Sequence, residues 1–302
     1  MPDPPESPLP PSPSSGFIDL HSHTNESDGS LSPAELVALA GRIGLAAIAV
    51  TDHDTFEGYE QAVPFARTIG LDLVRGIELN TLLNLQGKEH RYLHLLTYFP
   101  SGEPSEDFKN WVDRERDDRR NRNRRLAEAL QRQGVDITLE EVETRGKSLA
   151  GRVHFARILV QKGYAVNAED AFRRYLGESA PSYVHRESQT TEQAIRIVRS
   201  GGGVPVIAHP VRLTLSRNVE RKVLARLRQA GLLGLEVYHS EHSPSLQAYY
   251  RQLADELDLL PTGGSDFHGA AKPNIDLGTG LNGNLRVPLE FLDRMRGLQR
   301  PL

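Results

Sequence analysis

The chain has 302 residues, a formal net charge of −4 at pH 7 and no cysteine. Without thiols it cannot carry disulfides, thiolate metal sites, iron–sulfur clusters or a cysteine nucleophile. Its acidic balance argues against coating nucleic acid through bulk charge. No apolar run approaches the length of a membrane span, and residues 1–15 lack the basic and apolar segments of a signal peptide, so a cytoplasmic enzyme is the expectation.

Residues 1–15 are rich in proline and serine and read as a disordered tail. Gly16–Leu20 reads as a short strand ending in His21-Ser22-His23. Helical spacing of Leu36, Val37, Leu39, Ala40 and Ile43 follows, with Ser32 placed to cap and Pro33 at the first helical position. Ala46–Thr51 reads as a buried strand, Tyr59–Ile69 as a helix, and Leu73–Leu79 and Tyr92–Phe99 as further strands. That order is the signature of a parallel sheet or an α/β barrel.

The rhythm breaks at 106–132, where Asp113–Arg125 holds seven arginines and four acids. Helical stretches at 138–145, 152–163 and 168–177 extend this into an all-helical insertion. The barrel resumes with a helix at Thr191–Arg199 and a strand at Val204–Ala208. A helix near 218–230, a strand at Leu233–Tyr238, a helix near 244–257 and a last strand before Gly263-Gly264 complete it. The expected parts are therefore a tail (1–15), a first barrel segment (16–102), the insertion (103–185) and a second barrel segment (186–302).

The chemistry-bearing residues fall beside the strands. His21 and His23 follow the first, with Asp28 soon after. His53 follows the second strand, Glu78 ends the third, and His94 lies in the fourth. His209 follows Val204–Ala208, and Asp266 and His268 follow the last. Residues two apart on a strand share a face, so His21/His23 and Asp266/His268 can each grip one centre. Six imidazoles and three carboxylates exceed what one ion needs. Without sulfur, the set suits Mn²⁺, Fe²⁺ or Zn²⁺ better than Ca²⁺ or Cu⁺, with Mn²⁺ the first choice. Two or three ions with one bridging carboxylate is the economical arrangement.

Asp19-Leu-His21-Ser-His23, Asp28-Gly29, Thr51-Asp52-His53-Asp54, Gly76-Ile77-Glu78, Ala208-His209-Pro210 and Ser265-Asp266-Phe-His268 resemble the signature motifs of the PHP-domain metal-dependent phosphoesterases. Gly151-Arg152-Val153-His154 and the run from Tyr175 to Tyr183-Val184 are similar to the subgroup of 3′,5′-nucleoside bisphosphate phosphatases, some of which act as 5′→3′ exoribonucleases. The resemblance implies an α/β fold, a distorted (β/α)₇ barrel with a helical insertion. It implies a first ion on His21, His23 and Asp266, bridged by Glu78 to a second on His94 and His209, and a third on Asp28, His53 and His268. Asp19, Asp52 and Asp54 would support the ligands by accepting imidazole N–H groups.

The expected reaction is metal-assisted hydrolysis of a phosphomonoester, with the 3′-phosphate of a nucleoside 3′,5′-bisphosphate as substrate and short 5′-phosphorylated RNA as an extension. A hydroxide bridging the first two ions would attack, Asp266 would accept its proton, and His209, His239 or water would protonate the leaving 3′-oxygen. The second phosphate needs a cationic clamp. Arg152 is the first candidate, His154 the second and Arg157 the third, with the arginines between 114 and 125 in reserve. His90 and His242 read as surface residues. Rival readings are a histidinol-phosphate or cyclic-phosphate esterase and, from another class, a non-catalytic metal-binding module. The expected partners are a nucleotide or short RNA, with neither a membrane nor an obligate protein partner. Gly278-Thr-Gly280 lacks the strand and helix of a dinucleotide loop, and no Gly-x-Ser-x-Gly elbow is present.

Overall fold

The computed structural model describes residues 16–85, 90–146, 150–177, 179–185 and 189–298, so the proline-rich segment lies outside the described residues. The first half contains β1 (Phe17–Asp19), α1 (Pro33–Arg42), β2 (Ala47–Val50), α2 (Glu57–Ile69), β3 (Asp72–Asn84) and β4 (His90–Phe99). Next come α3 (Glu106–Gln131), α4 (Leu139–Gly146), α5 (Arg152–Gln161) and α6 (Ala168–Ala171), which runs into a π turn over Phe172–Leu176. The second half contains α7 (Thr191–Ser200), β5 (Val204–Ile207), a 3₁₀ turn (Pro210–Leu213), α8 (Arg217–Gln229), β6 (Gly234–His239), α9 (Pro244–Glu256) and β7 (Leu260–Gly264). Short strands β8 (Ile275–Asp276), β9 (Gly280–Leu281) and β10 (Val287–Pro288) and helix α10 (Glu290–Leu298) close the described chain.

Local chemistry sets the boundaries. Ser32 caps α1 in a reciprocal box with Glu35, and Pro33 occupies the first turn. Gly70 ends α2 in the left-handed region at φ 67°. All four residues of β2 are buried, as a strand covered on both faces requires.

The sheet order is β10-β1-β2-β3-β4-β5-β6-β7. The pairs β1–β2, β2–β3, β5–β6 and β6–β7 are parallel. The ends of the sheet meet: Leu20 N–H donates to Gly263 O at 3.2 Å, and beyond β1 and β7 His23 N–H donates to Phe267 O at 2.9 Å. The result is a distorted α/β barrel of β1–β7 flanked by helices, with β10 added antiparallel to β1 as an eighth strand of the sheet.

β4 departs from the all-parallel expectation. It is antiparallel to both β3 and β5. Only five residues separate β3 from β4, too few for a crossover, so the chain can return only in the opposite direction. The reversal matters for function. Most barrel strands bring their ends to the mouth, whereas β4 brings its beginning, and His94 pairs there with Asn80.

The helices after β4 have an apolar core of their own, built on residues such as Leu126, Leu130, Val142, Phe155, Leu159 and Leu176. Helix α3 belongs to two cores. Phe108, Trp111 and Val112 pack in the barrel-side cluster, and Leu126 and Leu130 pack in the insertion. Among the described residues no helix is long and apolar enough to cross a membrane.

Candidate metal centre

The strand ends bring the expected donors together. His21 Nε2 lies 3.4 Å from Glu78 Oε2 and 3.5 Å from Asp266 Oδ1. His23 Nε2 lies 3.2 Å and 3.4 Å from the same two oxygens. Ligands about 2.1 Å from one ion in a tetrahedron stand about 3.4 Å apart, so these four atoms fit the shell of a single cation. The two imidazole nitrogens are buried and make no hydrogen bond within the protein. A buried ring nitrogen without a partner is costly unless a cation or a proton beside the carboxylates satisfies it.

Glu78 is the hub. Its Oε1 lies 2.9 Å from His94 Nδ1 and 3.0 Å from His209 Nε2. Its Oε2 also lies 3.3 Å from His53 Nδ1. A third group surrounds Asp28: His268 Nε2 is 3.1 Å from Oδ1, His23 Nδ1 is 3.5 Å from Oδ1, and His53 Nε2 is 3.7 Å from Oδ2. All nine expected donors therefore lie in one contiguous cluster.

The cluster draws positive charge: against burial, Glu236, Glu78 and Asp266 raise His21 well above its ordinary value, and Asp266, Glu78 and Asp28 raise His23 to about 9. Burial pushes His53 and His209 down to about 4, which leaves both rings neutral at pH 7 with a lone pair to offer. Burial would raise the Glu78 carboxyl, yet His53, His94 and His21 hold it well below the usual range. Asp266 is likewise held low by His21, His23, His239 and Lys272 against the effect of burial. Three non-glycine residues beside the cluster sit at positive φ: Asp54 at 51°, His209 at 26° and Asp266 at 57°. Such backbone is stored where surrounding contacts over-determine it, often at functional sites.

Support for the rings differs from the expectation. Among the described hydrogen bonds, Asp19 and Asp52 accept from backbone and hydroxyl groups and from no imidazole N–H. Asp19 ties together His21 N–H, the amide and hydroxyl of Ser265, and Gly278 N–H. Asp52 holds Thr24 and Ser27. Asp54 holds Asn80 and the Arg119 guanidinium. These short carboxylates brace the turns, because they leave the strands beside backbone donors. The carboxylate that supports a ring is Glu236 on β6, which accepts from His21 Nδ1 at 2.9 Å and from His209 N–H at 2.6 Å.

Hydrogen bonds also sort the histidines by tautomer. His21 donates from Nδ1 to Glu236 and His268 from Nδ1 to Asp266 O, so each keeps Nε2 free to ligate. His239 and His154 are the reverse: their Nδ1 atoms accept from the N–H groups of Glu241 and Gly151. The tautomer that accepts at Nδ1 has its N–H at Nε2. His239 Nε2 lies 3.6 Å from Asp266 Oδ2.

His94 also lines a cavity of about 240 Å³ between barrel and insertion, whose walls include Arg119, Arg122, Arg152, Tyr92, Phe172 and Tyr183. The Arg152 guanidinium lies 5.7 Å from the Tyr92 ring and 5.9 Å from those of Phe172 and Tyr183. His154 is buried, while Arg157 is exposed and does not line this cavity. His90 is exposed, but His242, read as a surface residue, is fully buried with Nδ1 on Val237 O at 2.8 Å.

Fold and cluster together define a barrel that gathers candidate metal donors at its mouth. The PHP domain family model matches residues 19–190, and the chain belongs to the PHP family of metal-dependent phosphoesterases. It is 31% identical over 83% of its length to a 5′-3′ exoribonuclease of Haemophilus influenzae, covering 89% of that protein. It is 30% identical over 86% of its length to a 3′,5′-nucleoside bisphosphate phosphatase of Chromobacterium violaceum, covering 90% of that protein. Among solved structures it matches a provisionally described metal-dependent phosphoesterase of Bifidobacterium adolescentis, with TM-score 0.75, 32% identity and coverage of 94% and 97% of the two chains.

Proposed function

We propose that this phosphoesterase hydrolyses the 3′-phosphate of nucleoside 3′,5′-bisphosphates, and cleaves the equivalent P–O3′ bond at the 5′ end of short 5′-phosphorylated RNA. The observation that carries the reading is one cavity lined both by His94 of the donor cluster and by Arg119, Arg122 and Arg152. A nucleotide with phosphates at both ends matches that pairing, because one phosphate meets the donors while the other meets arginine. The rings of Tyr92, Phe172 and Tyr183 offer faces for a base. The names of the exoribonuclease and bisphosphate phosphatase relatives support the same substrate class.

On this reading His21, His23, Glu78 and Asp266 would hold the first ion, Glu78, His94 and His209 the second, and Asp28, His53 and His268 the third, with Mn²⁺ the proposed metal. Divalent ions bound there supply an acidified water and offset charge on the phosphoryl oxygens. Glu236 orients His21 and pins the backbone at His209. Asp266 stands where it can accept a proton from water. His239 carries its proton on Nε2, facing Asp266, and serves as the donor to the leaving O3′.

The test is purified protein with Mn²⁺, screened for product from 3′,5′-bisphosphates, short 5′-phosphorylated RNA, histidinol phosphate and cyclic nucleotides, with metal content measured in parallel. The reading expects two or three ions per chain, activity on the first two substrates and loss on chelation. Full activity with one ion or fewer would sink the multinuclear assignment, and a preference for histidinol phosphate would sink the substrate assignment.

A further inference from the structure

Two cations meet at one oxygen of Asp266. Arg212 Nη2 donates to Oδ2 at 2.8 Å and Lys272 Nζ donates to the same atom at 2.6 Å. The other oxygen, Oδ1, faces His21 and His23. Arg212 comes from the 3₁₀ turn that follows His209, and Lys272 from the loop that follows His268. Glu241 fixes the guanidinium, accepting from Nε at 3.0 Å and from Nη2 at 2.6 Å. Neither cation lines the cavity of Arg119, Arg122 and Arg152.

The exposure pattern is uneven. The Arg212 and Lys272 side chains are 36% and 33% exposed, while that of Asp266 is 4% exposed. Asp266 and Glu241 together balance the two cations, and both cations still reach water beside the donor cluster, where a further anion can meet them. A guanidinium already oriented by a carboxylate loses little freedom on gripping a second anion.

We propose that Arg212 and Lys272 bind the non-bridging oxygens of the phosphate under attack, with Glu241 as the residue positioning Arg212, and that this pair favours a terminal phosphomonoester over a phosphodiester. The proposal rests on the phosphoester reading above. In both substrates water oxygen bonds to phosphorus, the P–O3′ bond breaks, and O3′ takes the proton. The substrates differ only in what else the phosphorus carries. A terminal monoester brings about −1.5 to −2 charge at pH 7. In a diester the corresponding oxygen is esterified, and its extra charge is gone.

The experiment compares Arg212→Ala, Arg212→Lys and Lys272→Met with the native protein, all loaded with Mn²⁺. The kcat/KM of Arg212→Ala on a nucleoside 3′,5′-bisphosphate should fall about 100-fold, the scale of losing one preorganised donor to a developing charge. On a 5′-phosphorylated dinucleotide it should fall about 10-fold or less, and Arg212→Lys should recover part of the loss. Calorimetric titration with inorganic phosphate should show affinity weakened about 10-fold in Arg212→Ala and Lys272→Met, with metal content unchanged. Equal losses on the two substrates would overturn the monoester preference. Unchanged phosphate affinity with tighter metal binding would overturn the whole proposal, because that is what mere neutralisers of Asp266 would give. Phosphate affinity decides this even if the native protein turns over neither nucleotide, so the substrate reading and this proposal fail separately. Lys272→Met keeps the test open if Arg212→Ala fails to fold.

Discussion

His21 donates from Nδ1 to Glu236 at 2.9 Å, and both side chains are fully buried. The bond fixes which nitrogen of His21 faces Glu78 and Asp266. It also fixes the ring plane, which the short reach of a strand-end histidine cannot do alone. Glu236→Gln keeps the shape but removes the charge, so metal affinity should fall about 10–100-fold, read by competition with a chelator of known affinity. An unchanged affinity would mean that the backbone alone orients His21.

Five imidazoles approach the two oxygens of Glu78. Glu78→Gln should therefore lower the metal count by about two ions per chain at fixed free metal, whereas His53→Ala should remove about one. Elemental analysis after gel filtration distinguishes the cases. Equal loss from the two variants would show that Glu78 serves one ion only.

Acid should destabilise the metal-free protein partly through His242. Burial pushes its ring down from the ordinary 6.5 to about 4. The unfolded ring takes up a proton below its ordinary pKa, and the folded ring only below its depressed one. Between the two the unfolded chain holds more protons, so stability falls as pH falls through that window and is unaffected by this ring above it. The full contribution is about 3 kcal/mol. Urea unfolding from pH 7 to pH 4 should show a shallower loss for His242→Phe than for the native chain, whatever the starting stability. Parallel curves would show that His242 does not stay neutral in the fold.

Arg152→Ala should cost about 2–4 kcal/mol in kcat/KM on the bisphosphate and leave metal content unchanged. A generic phosphomonoester without a second phosphate should lose little. Arg157→Ala, at an exposed position, should change neither. If the bisphosphate rate is unaffected by loss of Arg152, the clamp belongs to Arg119 and Arg122.

The barrel strands and their donors were legible because buried strands read as apolar runs and the donors stand at their ends or in matched register. Glu236 is masked by its apolar neighbours in Leu-Glu-Val-Tyr. Its signal was available: one carboxylate in an otherwise apolar buried strand is uncommon and needs a partner. The direction of β4 does not show in strand order alone; the signal is the interval between Leu79 and Tyr92, too short for a strand end, a crossover helix and a strand start. Arg119 and Arg122 were hidden in a charge run. The buried stripe of α3 passes through Phe108, Trp111, Val112, Arg119, Arg122 and Leu126, so extending the apolar spacing from either end lands on these arginines. His242 escaped because a polar ring just past a strand reads as solvent-facing, and only the turn after β6 folds it beneath Tyr250.

Helix α3 is rooted at one end in the core behind the barrel and at the other in the core of the insertion, with Arg119 and Arg122 between. A helix rises about 1.5 Å per residue and resists stretching, so it works as a gauge. On the proposed reading it sets the span from the scissile bond to the far phosphate at one nucleotide. On that reading Arg119 and Arg122 would stand beside Arg152 at the 5′ end of whatever enters, and the cut would fall at the first 3′ linkage. Stepwise removal of single nucleotides from an RNA would then follow from the stiffness of one helix, with no need for a motor or a second site. One residue added to α3 between Val112 and Arg119 would turn the arginines about 100° off the stripe, and with them the measure would be lost while the metal donors stayed in place.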